Sequence, residues 1–435
     1  MKKIIFFIER SNDIRFFGSL LNFFLKKNIK IELLYLLENS NKSNFKYYLN
    51  PNKLKSKLTK KIKKKKFTDK KGIHNYLIAN KDKISFIFAL TFLSKKRFYI
   101  SDNFLKAIDK KWCVINHGLD NYTQFKDEDT NLKYICNFFC DSKYFYKKGL
   151  EWSKKFAKKK NIINSGNVKI YFVGSSMFSK EIFYKKKSFR KKLIYLPFPY
   201  FRNRYNSDFS FQAAFAGKFI NYYSFLKKYH NKNFLNSLVE QFKHLILNNF
   251  EIIRNIKKIK KYYYFENELE IIRSIRKFCD KNNLEFVVKP RLKFAFSSYA
   301  ESLADRIVID NESSQFPTLF QKELSTSDIV IGSLSSAIYE TAMFKIPYIN
   351  IEIPNLAFQS KSDHSFYSYK KNSNYNYKGV INNITIRDLV KNLCSKNIND
   401  FKFNKKRSTI YLQKFCGINQ KDFGERVYNI LKKKL

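Results

Sequence analysis

Short apolar runs bounded by charge, with stretches of helical spacing between many of them, recur along this chain and constrain its fold class more than any other feature. The first run, from Lys3 to Ile8, reads as a strand buried on both faces, as in a parallel sheet. Behind it, Ser11 or Asn12 is placed to cap a helix over about residues 13–27, whose Ile14, Phe17, Leu20, Leu21 and Phe24 form one apolar stripe. Further strand-like runs fall at 31–37, 84–90, 98–100, 112–116, 134–139 and 170–173. A second series opens at 192–197, passes through lysine-rich helical patterns near 234–249 and 269–282, and continues at 286–288, 307–309, 329–331 and 348–351. Two such series predict an α/β protein of two doubly wound Rossmann-like domains facing across a cleft. A length of 435 residues agrees, because it exceeds one ordinary core. The expected boundaries are 1–187 for the first domain, at the charged stretch 185–191, and 188–415 for the second. A helix in 416–435 is expected to return to the first domain.

Composition narrows the partners. Lys and Arg number 85 against 36 acidic residues, a formal charge of +49 that favours anionic ligands: nucleotides, phosphorylated polymers, acidic lipids or nucleic acid. The basic run from Lys53 to Lys66 carries Leu54, Leu58 and Ile62 at every fourth position. It predicts a cationic helix with a narrow apolar stripe, suited to peripheral contact with an anionic membrane. The six cysteines show no metal-knuckle spacing and read as buried thiols. No long apolar run and no leader pattern is present, so the expectation is a cytoplasmic chain on or near the inner membrane face.

Three constellations carry chemistry. From Ser327 to Ile353 the chain reads as strand, small-residue turn (Gly332, Ser333, Ser335, Ser336), short helix and second strand. Backbone N–H groups at such a turn suit an anion, and Glu340, four residues after Ser336, shares its helix face. A carboxylate there can accept hydrogen bonds from two adjacent sugar hydroxyls. His117-Gly118 follows the run at 112–116, at the strand end where open α/β sheets bind ligands, and histidine titrates near operating pH. Lys289-Pro290-Arg291 follows another strand and offers charge for phosphate.

The pattern D-I-V-I-G-S-x-S-S-A-I-Y-E-T-A-x-F-x-x-P, read from Asp328 onward, resembles the nucleotide-binding segment of GT-B-fold transferases of bacterial surface polysaccharides, including CDP-glycerol glycerophosphotransferases. The resemblance implies that the turn meets the nucleotide diphosphate, that Glu340 contacts ribose and that His117 is base to the acceptor hydroxyl. The family has a histidine where Arg291 stands, which argues against a two-histidine phosphotransfer. The stretch 171–178 resembles the family's V-x-G-x-P-x-F-D without its Pro and Asp, and 196–202 resembles L-Y-x-P-x-x-R, making Arg202 a candidate phosphate contact.

The matches occur in the family's order over residues 112–350. They imply transfer of a glycosyl, or less readily a glycerophosphoryl, unit from a nucleotide-activated sugar or polyol to a polysaccharide or lipid-linked acceptor. Helix-start amides would stabilise the leaving diphosphate, so neither metal nor cofactor is expected. The alternatives are a nucleotide-sugar epimerase of the same fold, a noncatalytic scaffold and a nucleic-acid-binding protein. The last is disfavoured because no recognisable module is visible and the basic residues are spread over both halves.

Overall fold

The computed structural model describes residues 2–9, 13–36, 62–93, 98–116, 134–156, 167–179, 182, 190–197, 268–290, 298–309, 316–333, 335–352, 370–418 and 422–434. The first seven strands are β1 (Lys3–Ile8), β2 (Ile31–Leu36), β3 (Lys63–Phe67), β4 (Ile84–Ala89), β5 (Trp112–Ile115), β6 (Cys136–Cys140) and β7 (Val168–Phe172). They form one parallel sheet in the order β3-β2-β1-β4-β5-β6-β7. The remaining strands are β8 (Lys191–Leu196), β9 (Leu284–Val288), β10 (Arg306–Ile307), β11 (Ile329–Gly332), β12 (Tyr348–Ile351) and β13 (Ile381–Ile384). They form a second parallel sheet, β10-β9-β8-β11-β12-β13. Strand order reverses between β1 and β4 and again between β8 and β11. The chain therefore has two doubly wound, Rossmann-like sheets, each with a switch point.

Burial on both faces explains the unbroken apolar strands. On β1, Ile4, Phe6 and Ile8 pack with Phe17, Leu20, Leu21 and Phe24 of α1 (Asp13–Lys26) and with Phe423, Val427 and Leu431 of the chain's last α-helix (Phe423–Leu431). Ile5 and Phe7 point the other way, into a cluster that includes Ile73 and Leu77 of α2 (Lys70–Ala79) and Phe104 of α3 (Asp102–Ile108). Helix α4 (Lys143–Phe156) follows β6, and Ser142 Oγ accepts the Phe145 N–H at its start. In the second half α5 (Glu268–Lys281) buries Ile271, Ile272, Ile275, Phe278 and Cys279, and α6 (Ser298–Leu303) and α7 (Leu319–Leu324) flank the short β10. Helix α8 (Ala337–Met343) links β11 to β12, while α9 (Ile386–Asn392) and α10 (Lys405–Cys416) precede the last helix, α11. Among the described residues no helix is long and apolar enough to cross a membrane.

Three local expectations are corrected. Lys63 to Lys66 lies in an edge strand rather than the end of a cationic helix. Ile62, the last residue of the supposed stripe, is buried under the sheet, and Lys65 Nζ sits 4.1 Å from the centre of the Tyr76 ring. Parallel pairing with β2 outweighs the four-residue spacing, and lysines at a sheet edge discourage further strand addition. Residues 53–61 lie outside the described set. The run at 98–100 forms no strand: Phe98 packs on Phe7 and Trp112, and Ser101 then caps α3. Strand β13 has only Ile381 and Ile384 as apolar residues, so its pattern did not identify it. None of the six cysteines is in a disulfide and all but Cys394 are buried; burial raises the Cys136 thiol to about 12.

Three contacts bring two distant segments of the chain onto α1. Ser19 Oγ donates to Asp422 Oδ1 at 2.8 Å, and the Phe23 and Tyr428 rings lie 5.7 Å apart, which docks α11 on α1. A Cβ added to Gly18 would lie 2.2 Å from ring atoms of Phe316 and 2.7 Å from its Cβ, so α1 lies directly against the segment leading into α7. In the second half, Arg306 grips Glu323 with two parallel bonds of 2.9 and 2.8 Å, and Lys192 adds a third at 2.9 Å. Burial raises the Glu323 carboxyl, but the bonds from Arg306 and Lys192 prevail and hold it below its ordinary value.

Gly18→Ala is expected to lower stability by about 1–3 kcal/mol, reversing the usual gain from Gly→Ala inside a helix; a melting temperature at or above wild type would contradict this packing. Glu323→Gln is expected to cost about 1–3 kcal/mol at neutral pH. Because the folded carboxyl is depressed, its contribution is complete above the unfolded value of about 4.3 and fades as pH falls through the folded one. Denaturant titrations of wild type and variant at pH 7 and pH 3 should therefore converge at the acid end.

Candidate functional site

The carboxyl ends of the strands in both sheets carry the polar residues that a ligand would meet. On the second sheet Gly332 closes β11 beside Leu196, the last residue of β8. A side chain at Gly332 would sit 2.7 Å from Tyr348 Oη and 2.9 Å from Leu196 Cβ, so the close approach of three strands demands glycine. Ser333 and Ser335 are buried, and Ser335 Oγ accepts from the Ala337 N–H at 3.3 Å. Ser336 adopts the N-cap position of α8 without a side-chain capping bond. Lys289 follows β9, two strands from Gly332 or about 10 Å across the sheet. It is buried, with Nζ donating to Pro290 O at 3.2 Å and its backbone N–H to Tyr195 O at 2.9 Å.

Glu340 is engaged in a way that its sequence position did not suggest. It is 1% exposed, its Oε1 accepts from Gln321 Nε2 at 3.0 Å, and its Oε2 accepts from Arg15 Nη2 at 3.1 Å. In this structure its carboxylate is closed to a ribose. Gln321 is itself fixed by a capping box with Thr318, bonds of 2.9 and 3.1 Å, and its Nε2 also donates to Met177 O at 3.5 Å. Arg15 belongs to α1 and Met177 follows β7, so this network spans both halves of the molecule.

On the first sheet, Asn116 follows β5 and donates from Nδ2 to Asp141 Oδ2 at 2.8 Å, with both side chains buried. Nearby the chain crosses back from the second half. Ser175 N–H donates to Cys416 O at 2.9 Å, and Gly417 turns left-handed at φ 62° where an added Cβ would lie 1.9 Å from Asp141 O. Arg426 Nη1 donates to Gly417 O at 3.2 Å. Burial pulls that guanidinium down to about 10 against the upward influence of Asp422, Asp141 and Glu425, so it stays charged at neutral pH.

The structure thus brings Gly332, Ser333, Ser335, Ser336 and Glu340 to one turn-and-helix unit, with Lys289 on the same sheet edge. His117, Arg202 and Arg291 lie outside the described residues; Asn116, which precedes His117 in sequence, is described. Arg15, Gln321, Asp141 and Arg426 were missed. Asp141 carried a usable signal, an acid directly after an apolar run; Arg15 and Gln321 carried none, since their partner is far away in sequence. Among the described residues no group of three His, Cys, Asp or Glu side chains is arranged to hold a metal ion.

No family model matches the chain, and no curated protein matches it. Solved structures do. One histidine-substituted variant of the wall teichoic acid polymerase TagF matches over 99% of this chain and 88% of its own, at 10% identity and a TM-score of 0.50. A second such variant matches over the same shares at 11% identity and 0.50. HepE from Anabaena, in complex with UDP and glucose, is covered in full along with this chain at 8% identity and 0.45. At 10–11% identity the likeness to the TagF variants is one of fold: two Rossmann-like sheets in the GT-B arrangement.

Proposed function

We propose that the protein is a transferase that moves a glycosyl unit, or less readily a glycerophosphoryl unit, from a nucleotide-diphosphate donor to a surface polysaccharide or lipid-linked acceptor. One observation carries the reading: the unit after β11 and the start of α1 adjoin the switch points of their sheets, and the two meet through Glu340 and Arg15. Ligands of open α/β sheets bind at such points. Donor contacts are assigned to Gly332, Ser333, Ser335 and Ser336, with Lys289 after β9, Arg291 two residues on in sequence, and Arg202 as a further phosphate contact. Glu340 belongs to this side as the group that fixes the cross-domain contact.

His117 is assigned the acceptor side, as base to the attacking hydroxyl, and the bond broken is that between the sugar and the diphosphate. The likeness in fold to a wall teichoic acid polymerase supports an envelope polymer as acceptor. The net charge of +49 supports anionic ligands, and the lysines of β3 supply an edge for peripheral contact with anionic membrane.

A nucleoside diphosphate at a hundred times its Kd stabilises a protein by about 2.7 kcal/mol. One of UDP, CDP or GDP should therefore raise the melting temperature clearly, and a flat response to all three would overturn the donor reading. His117→Ala should keep that shift while lowering transfer roughly 10²- to 10⁴-fold with the matching donor and acceptor. Full transfer by the variant would remove His117 from the mechanism.

A further inference from the structure

Among the contacts between the halves of the molecule, one is made by a partly exposed guanidinium whose surroundings suit a ligand contact as well as a clasp. Arg15 lies in the first turn of α1, directly after β1 and beside the switch point of the first sheet. Glu340 lies in the first turn of α8, after β11 and beside the switch point of the second. The carboxylate is immobilised from behind: Gln321 holds Oε1, and the Thr318 N–H holds the Gln321 carbonyl. It is 1% exposed, and Arg15 is the cation that pairs with it among the described residues.

Arg15 is differently placed. Its side chain keeps 25% exposure, a single bond from Nη2 ties it to Glu340, and Nε is buried with no hydrogen-bond partner. A buried N–H of a cation without a partner is costly, which leaves this guanidinium short of acceptors, and its exposed part is open to an oxyanion. The planar fork of a guanidinium matches the geometry of phosphate oxygens.

We propose that Arg15 is a diphosphate contact supplied by the first domain, with Glu340 and Gln321 as the positioning residues that orient it. This rests on the donor reading above and adds that both domains grip the same phosphates.

The test is calorimetric titration of the full chain with the nucleoside diphosphate that stabilises it and with the corresponding monophosphate. Wild type should prefer the diphosphate. Arg15→Ala should weaken diphosphate binding about 10- to 100-fold while barely altering the monophosphate, so the preference collapses. Arg15→Lys should recover part of it, and Glu340→Gln should reduce it with Arg15 still present. A loss of stability alone would lower both affinities together and leave the ratio intact. An unchanged ratio in Arg15→Ala would overturn the Arg15 assignment and spare the donor site. Failure of wild type to bind any nucleotide would remove the donor reading and this proposal together.

Discussion

The ion pair that joins the switch-point ends of the two halves depends on how closely α1 can approach its neighbours. One face of this helix is the core stripe beneath the first sheet. Another receives the terminal helix through Ser19 and Phe23. A third lies against the second half, with Gly18 under Phe316 and Arg15 on Glu340. Because Gly18 has no Cβ, the backbone sits close enough for a guanidinium in the first turn to reach a carboxylate 325 residues away. A bulkier residue there would push apart the packing and the ion pair together, which makes the glycine a condition of the cleft rather than a local detail.

A chain of net charge +49 places few acids at random in its interior. Glu32, Glu323 and Glu340 are each largely buried, and each is met by cations: Lys3, then Arg306 with Lys192, then Arg15. The first two fix structure within one sheet. The third joins the sheets where ligands of this fold class bind, and its guanidinium alone among these cations has a buried N–H without a partner. The excess of positive charge therefore has a specific expression at the cleft as well as a diffuse one over the surface.

The fold was legible because a parallel sheet buried on both faces needs unbroken apolar strands, and Lys3–Ile8, Ile31–Leu36 and Ile329–Gly332 supply them. Strand β3 was not legible, since its lysines sit at a sheet edge where one face and one side meet solvent, and its sequence carries the spacing of a helix. The turn of small residues announced itself through Gly332 and its serines. The role of Glu340 did not, because helix spacing says which face a carboxylate occupies but not what lies opposite. Arg15 reads from sequence as an ordinary polar position in an amphipathic helix, and only the tertiary fold shows it facing the second sheet.

The central claim is that nucleotide binds between the two switch points and is gripped from both. Hydrogen–deuterium exchange with and without the stabilising nucleoside diphosphate tests this directly. The account predicts new protection in two separate segments, residues 332–340 and the start of α1 around residues 13–18. Protection confined to one of them, or found instead along the β3 lysines, would contradict it.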